Sequence, residues 1–96
     1  MPDSFHSEQY KIFITLLRET REALQVSQAA LASKLDQPQT FVSKCETGIR
    51  RLDVVELHAW LRALNVDFPK FLATLTKQWE AHAARTRLPR TATTNK

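Results

Sequence analysis

The fold is decided by residues 27–48, which read SQAALASKLDQPQTFVSKCETG. Ser27 is a good N-cap, and the leucines that follow it recur at the spacing of one helix face. A break then leads to Pro38, which fits the first turn of a helix because its missing N–H has no partner to lose there. The segment therefore predicts two short helices, residues 28–35 and 38–46, joined by a tight turn.

The residues on either side predict three more helices. One covers residues 8–24, with Ser7 as its N-cap and apolar residues at helical spacing. Another begins after Asp53, which is followed three residues later by Glu56 and so forms a capping box. Asp67 caps the last helix, whose Phe, Leu and Trp residues follow one face. The chain is therefore expected to be all-α, with five helices.

Length and composition agree with one helical domain. The 96 residues are enough for a single modest core and too few for a second one. Gly48, which is the only glycine, and Asn65 are expected to end helices in the left-handed conformation. From residue 85 the sequence loses its periodicity and gains Thr, Pro and Arg. We therefore expect a helical domain over residues 1–84 and a flexible basic tail over residues 85–96.

The net charge of +4 does not by itself identify a partner. Four of the 14 basic residues lie in the tail, which has no acidic residue, while residues 1–84 carry ten basic and ten acidic residues. Only the local placement of charge can therefore indicate what the domain binds.

Several classes of protein are disfavoured by the sequence. No apolar run approaches the ~20 residues that span a bilayer, and the N-terminus lacks the order of a signal peptide. Cys45 is the only cysteine, so no internal disulfide can form, which agrees with a reducing compartment. The histidines are far apart, and no nucleophile constellation, phosphate loop or metal spacing is present. We expect a soluble, cytoplasmic protein that has no cofactor or metal and is not an enzyme.

Three features of the sequence together match a known family. They are SQxxLA at the start of the second helix, QTFVSKCETG in the third, and the capping box followed by ALNVD. With them the chain resembles the phage-repressor and Cro type of helix-turn-helix protein, the xenobiotic response element (XRE) family. The resemblance implies a lambda-repressor-like domain, with helices two and three as the helix-turn-helix, in a transcriptional regulator that is expected to repress. Where the family usually has glycine this chain has Asp36, and we expect roughly 1 kcal/mol of strain there and at Gln25.

The third helix carries the residues that are expected to read DNA. Val42 and Cys45 share its apolar face, and the opposite face is polar. Glutamine can bond adenine at two atoms, lysine can donate to guanine, and the methyl group of threonine can contact thymine. An ordinary solvated helix surface is the alternative. The resemblance assigns base contacts to Gln39, Thr40 and Lys44, and we expect Ser43 to join them. The whole polar face consists of Gln39, Thr40, Ser43, Lys44 and Thr47.

Four further residues are expected to contact the phosphate backbone. Gln28 begins the second helix, where free N–H groups and the helix dipole suit an anion, and the resembled family uses this position in that way. Arg50 and Arg51 lie in the loop after the third helix, where they can set register without reading sequence. Thr47 can add a hydroxyl contact. For the arginine pair, solvation in the loop is the alternative.

The resemblance also implies an ion pair between Arg21 and Glu46, which would hold the third helix against the first. In the fifth helix, Leu75 and Trp79 extend the apolar stripe beyond the point where the first helix is expected to cover it, and so predict a homodimer interface. Such a dimer would bind an inverted-repeat operator in double-stranded DNA. The alternative is an antitoxin or adaptor whose fifth helix and tail bind a protein partner.

Overall fold

The computed structural model describes residues 3–86, with side chains for residues 8–85. Over this range the chain forms five α-helices and no strand, so the predicted all-α fold is confirmed. The predicted tail, residues 85–96, lies outside the described residues except for its first two, which continue the last helix. The helices are α1 Asp3–Ala23, α2 Gln28–Leu35, α3 Gln39–Glu46, α4 Val54–Ala63 and α5 Phe68–Thr86.

Local hydrogen bonds explain where three of the helices start. Ser27 Oγ accepts the N–H of the third residue after it at 3.0 Å, at the start of α2. Asp53 Oδ1 accepts from Glu56 N at 2.8 Å, and Glu56 Oε1 accepts from Asp53 N at 3.0 Å, which completes the predicted capping box. Asp67 Oδ2 accepts the N–H of the third residue after it at 3.0 Å, at the start of α5. These bonds satisfy N–H groups that a helix leaves free, and all three predicted caps are confirmed.

Two helix starts differ from the sequence prediction. The first helix begins at Asp3, so Ser7 lies inside it and is not its N-cap. No glycine or proline interrupts this part of the chain, and nothing local therefore stops the helix at Ser7. The third helix begins at Gln39, and Pro38 is its N-cap, with an extended backbone at ψ 156°. An N-cap N–H takes no part in the helix ladder, so proline is tolerated in this position too.

Left-handed residues end several of the helices. The φ angle is 84° at Gly48 and 59° at Asn65, as the sequence predicted. It is 61° at Gln25 and 59° at Asp36, the two positions where strain was expected. After each of the three non-glycine residues, the next N–H bonds to a carbonyl five residues earlier, which closes the helix end as in a Schellman motif.

We expect Gly48→Ala to lower the free energy of unfolding by about 1–2 kcal/mol, because a left-handed backbone costs a residue with a Cβ about that much. The added Cβ would also lie 3.3 Å from Ile14 Cδ1, which is a tight contact. The matched control is Gln25→Gly, which removes the same penalty and should leave stability unchanged or raise it. Urea unfolding measures both variants. Equal losses in the two would contradict this explanation.

The core lies where the helix-turn-helix pair packs on the remaining helices. Helix α1 contacts α3 and α5, and α4 contacts α2 and α5. Burial raises the pKa of the Cys45 thiol, which fits the predicted role of Cys45 as a small core residue. Among residues 3–86, no helix has both the length and the apolar character that a membrane span requires. The most deeply buried side chains are Leu17, Leu31, Val42, Cys45, Trp60 and Leu61.

The packing of α5 corrects the reasoning behind the predicted dimer interface. Leu75 is only 3% exposed, and Trp79 is half-buried, with its Nε1 donating to Gln9 O at 3.0 Å. The α1 residues that reach this stripe, Gln9, Tyr10 and Phe13, already belong to the predicted helix, which therefore extends further along α5 than the sequence suggested. Leu75 is therefore a core residue rather than a surface for a second copy. A homodimer stays a prediction, and Leu75 does not form its interface.

Candidate nucleic-acid interface

The outward face of α3 is a polar surface fixed to the core from behind. On the inner side, Val42, Cys45 and Glu46 are buried. Positions 39, 40, 43 and 44 fall on the opposite side, so the structure brings the sequence-predicted base-contacting residues to one face. Gln39, Thr40 and Lys44 are exposed there, and Ser43 is half-buried.

The charge around this face is positive, although the domain as a whole is balanced. Residues 27–52 contain two acidic residues, Asp36 and Glu46, and the second is 4% exposed and paired with an arginine. A locally basic surface of this kind attracts polyanions. The basic residues of the same segment are Lys34, Lys44, Arg50 and Arg51, of which Arg50 is paired with Glu56 just beyond it.

A buried ion pair holds α3 against α1. Arg21 Nε donates to Glu46 Oε2 at 2.7 Å, and Arg21 Nη2 donates to Glu46 Oε1 at 2.9 Å. Arg21 Nη1 also donates to Val26 O at 2.7 Å. The hydrogen bonds to Glu46 raise the pKa of Arg21 above its usual value. The pair fixes the end of α3, because two parallel hydrogen bonds define both the distance and the orientation of the groups.

Two glutamines extend this ion pair to the surface. Gln28 Nε2 donates to Glu46 Oε1 at 3.0 Å, and Gln39 Nε2 donates to Gln28 Oε1 at 3.1 Å. A continuous chain of hydrogen bonds therefore runs from buried Arg21 to exposed Gln39. Sequence reasoning missed these two bonds. The available signal was that each glutamine is the first residue of its helix, and the two helix starts approach each other in a helix-turn-helix.

In the loop between α3 and α4, Arg50 is engaged within the chain. Its Nη1 and Nη2 donate to the two carboxylate oxygens of Glu56, each at 2.9 Å. Nη1 also donates to Arg51 O at 2.8 Å, and the guanidinium lies 4.9 Å from the centre of the Phe41 ring. Arg50 was predicted to contact phosphate, but here its guanidinium braces the loop against the start of α4.

The neighbouring arginine is placed differently. Arg51 is exposed, and its guanidinium lies 4.3 Å from the centre of the Tyr10 ring, close enough for a cation–π contact. Among residues 8–85, no carboxylate lies within salt-bridge distance of it. Tyr10 Oη accepts from Leu52 N at 3.0 Å, which ties the same part of the loop to α1. Arg51 therefore keeps a charge that an anionic partner can neutralise.

The other two predicted phosphate contacts have partners within the chain. The side chain of Gln28 bonds to Glu46 and Gln39. Leu31 N donates the first hydrogen bond inside α2, so the backbone N–H of Gln28, at the start of the helix, takes no part in the intrahelical bonds. Thr47 Oγ1 donates to Ser43 O at 3.0 Å and is also close to Lys44 O, at 3.3 Å. A phosphate would therefore meet the backbone of Gln28, and the Thr47 hydroxyl would have to turn.

Acid should weaken the loop through Glu56. The hydrogen bonds from Arg50, and then the one from the Asp53 N–H, hold the pKa of Glu56 below its usual 4.5. A carboxyl group with a lowered pKa in the folded chain contributes stability above its unfolded pKa, and that stability is lost as the pH falls through the folded pKa. We expect the wild-type unfolding free energy to fall more steeply below about pH 4.5 than that of Glu56→Gln. Urea unfolding at a series of pH values measures both proteins. An equal loss of stability in the two as the pH falls would contradict this expectation.

The two short helices, their tight turn and the outward polar face of the second helix define a helix-turn-helix domain of the DNA-binding kind. A family model described as Helix-turn-helix matches residues 17–71. A solved structure, an XRE-family like protein from Pseudomonas syringae pv. tomato str. DC3000, is 37% identical. The similarity covers 79% of this chain and 93% of that one, with a TM-score of 0.74. No curated protein matches the sequence.

The chain therefore belongs to the XRE family of helix-turn-helix proteins. It is a DNA-binding transcription regulator of this type, a kind of protein that is not typically enzymatic. The resemblance to this family seen in the sequence is thus confirmed.

Proposed function

We propose that the protein is a repressor that binds a short inverted repeat in double-stranded DNA as a homodimer, with α3 in the major groove. The observation that carries this proposal is the outward face of α3, which is polar, exposed and next to a basic loop, while its inner side is fixed to the core. A helix held in this way can enter the groove without refolding, so little free energy is spent on ordering it.

Base reading falls to the exposed side chains of α3. Gln39 offers an amide that can bond adenine at N6 and N7, and Lys44 can donate to guanine O6 and N7. The bond from Gln39 to Gln28 limits the rotamers of Gln39 before DNA arrives, which favours one orientation of its amide. Thr40 and Ser43 complete the face with a methyl and hydroxyl groups. Among these residues, Gln39 and Lys44 therefore set most of the sequence preference.

Phosphate anchoring falls to the loop and to the start of α2. Arg51 is the better candidate of the two loop arginines, because Arg50 is already bonded to both carboxylate oxygens of Glu56. At the start of α2, the backbone N–H of Gln28 and the helix dipole suit a phosphate oxygen. These contacts position the domain on the duplex and carry no direct sequence information.

Selection of bound sequences from a random duplex pool tests the proposed function. We expect enrichment of a short motif in two inverted copies, because the symmetry of an operator mirrors that of the dimer that binds it. A reporter gene whose promoter overlaps the selected site should then be expressed less when the protein is present. No enrichment, or increased expression of the reporter, would contradict the proposal.

Arg51→Ala should weaken binding to the selected site and to random duplex alike. If Arg51 neutralises a phosphate, its loss also flattens the slope of log affinity against log salt concentration by about 1 per subunit. The base preference should not change. Lys70→Ala, which removes an exposed charge from α5, is the matched control and should leave the slope as it is. An unchanged slope for Arg51→Ala would show that Arg51 does not contact the backbone.

A further inference from the structure

A cavity outside the α3 face lies between α1, the α3–α4 loop, the start of α4 and α5. Its volume is about 320 Å³. Small-molecule sites in proteins begin at about 300 Å³ and are lined mainly by apolar and aromatic side chains. This cavity meets both conditions. Its apolar wall is formed by Tyr10, Phe13, Leu57, Leu72, Leu75 and Trp79.

The cavity is apolar at its base and open to solvent at its rim. Phe13, Leu57 and Leu75 are 7%, 7% and 3% exposed, so the base of the cavity belongs to the core. Leu72 is 37% exposed and Val54 is 64% exposed, so the rim presents apolar surface to solvent. An apolar ligand could cover this surface without moving the helices.

The mouth of the cavity carries an unneutralised cation. Arg51 lines the cavity, and its guanidinium lies over Tyr10, one of the wall residues. The acidic residue on the same lining is Asp53, whose carboxylate accepts the N–H of Glu56 as the cap of α4. A cation beside an apolar cavity is complementary to a molecule with an apolar body and an anionic head, because a guanidinium pairs well with a carboxylate.

We propose that this cavity binds a small amphipathic carboxylate, with its hydrocarbon body between α1 and α5 and its carboxylate on Arg51. An effect on DNA binding follows, and it rests on the proposed function. The guanidinium that pairs with the ligand is also the one assigned to a DNA phosphate, and the two anions compete for it. Ligand binding therefore weakens the binding of the protein to DNA.

Calorimetric titration of the full chain without DNA tests the site directly. The probes are octanoate and octylammonium below their micelle concentrations and octanol below its solubility limit. They share one hydrocarbon chain and differ in the head group. Octanoate should bind at one site per chain, about tenfold more tightly than octanol, since a charge-assisted bond to a guanidinium is strong. Octylammonium should bind more weakly still. Arg51→Met should bind octanoate no better than octanol.

Two rim variants locate the binding. Leu72→Glu and Val54→Glu place a negative charge on the open rim at exposed positions, so the fold should survive, and both should abolish octanoate binding. Leu24→Glu is the matched control, because Leu24 is 48% exposed and does not line the cavity. It should bind octanoate as the wild type does. Equal binding of the three probes, no saturable binding of octanoate, or full binding by both rim variants would overturn the proposal.

Sedimentation and a duplex titration separate the remaining outcomes. If the wild type is a dimer that Leu72→Glu dissociates, and octanoate does not bind, the cavity is a contact between copies and the proposal is wrong. In the DNA experiment, octanoate should lower the affinity of the wild type for the selected duplex and leave that of Leu72→Glu unchanged. A protein that binds octanoate but no duplex would refute the proposed function alone. A protein that binds the duplex but not octanoate would refute the site alone.

Discussion

Glu46→Ala should lower the free energy of unfolding by about 3–5 kcal/mol, a large part of the stability of a small domain. Arg21 and Glu46 are 7% and 4% exposed, and the carboxylate takes two of the short hydrogen bonds of the guanidinium. Without Glu46, the buried guanidinium keeps only its bond to Val26 O and a distant contact with Glu22. The expected loss is therefore mainly the penalty of an uncompensated buried charge.

Two control variants separate this explanation from a general effect of removing an acid. Glu22→Ala removes a carboxylate that lies 3.8 Å from the same guanidinium but is 57% exposed, and it should cost less than about 1 kcal/mol. The double variant Arg21→Met with Glu46→Leu removes both charges and should recover most of the stability. Urea unfolding measures all three. If Glu46→Ala lowered the free energy of unfolding by less than about 1 kcal/mol, or if the double variant recovered no stability, the explanation would be contradicted.

The features predicted correctly from sequence are those that depend on neighbouring residues. Ser27, Asp53 and Asp67 cap their helices through bonds to an N–H three residues later, so a short window of sequence contains the whole interaction. The left-handed ends at Gly48 and Asn65 are local in the same way. Local chemistry therefore gave the positions of five of the helix boundaries.

The errors arose where packing between distant residues decides the outcome. The start of α1 was placed too late. Separately, the packing of Gln9, Tyr10 and Phe13 on α5 was not foreseen, so Leu75 and Trp79 were left without a partner in the predicted fold. The pairing of Arg50 with Glu56 was also missed, because Glu56 had been assigned only to the capping box, and it serves both. Spacing along the chain does not show which side chains of a loop meet a helix start.

The site combines both kinds of information. The polar and apolar faces of α3 followed from helical spacing, and the buried positions of Val42 and Cys45 confirm that division. Arg21 and Glu46 are 25 residues apart, and only the resemblance to a family connected them. The bonds through Gln28 to Gln39 required the structure itself. The link between the core and the DNA-facing surface is therefore a property of the folded chain.

Gln39→Ala and Lys44→Ala should each weaken binding to the selected duplex by about 1–3 kcal/mol, because each removes hydrogen bonds to a base edge. Gln28→Ala should have a smaller effect in the same direction, since it frees Gln39 without deleting it. Lys34→Ala is the matched control for Lys44→Ala, because it removes an exposed lysine from α2 rather than from the outward face of α3. It should cause little change in sequence preference.

Binding of the Lys44→Ala variant to two duplexes tests the role of α3 most directly. One duplex carries the selected site and the other a random sequence, and both are titrated at several salt concentrations. If α3 reads the major groove, the variant loses about 1–3 kcal/mol on the selected site and far less on the random duplex, with relaxed preference at one base pair per half-site. An equal loss on both duplexes would show that Lys44 contacts only phosphate, and would contradict the assignment of α3 as the reading helix.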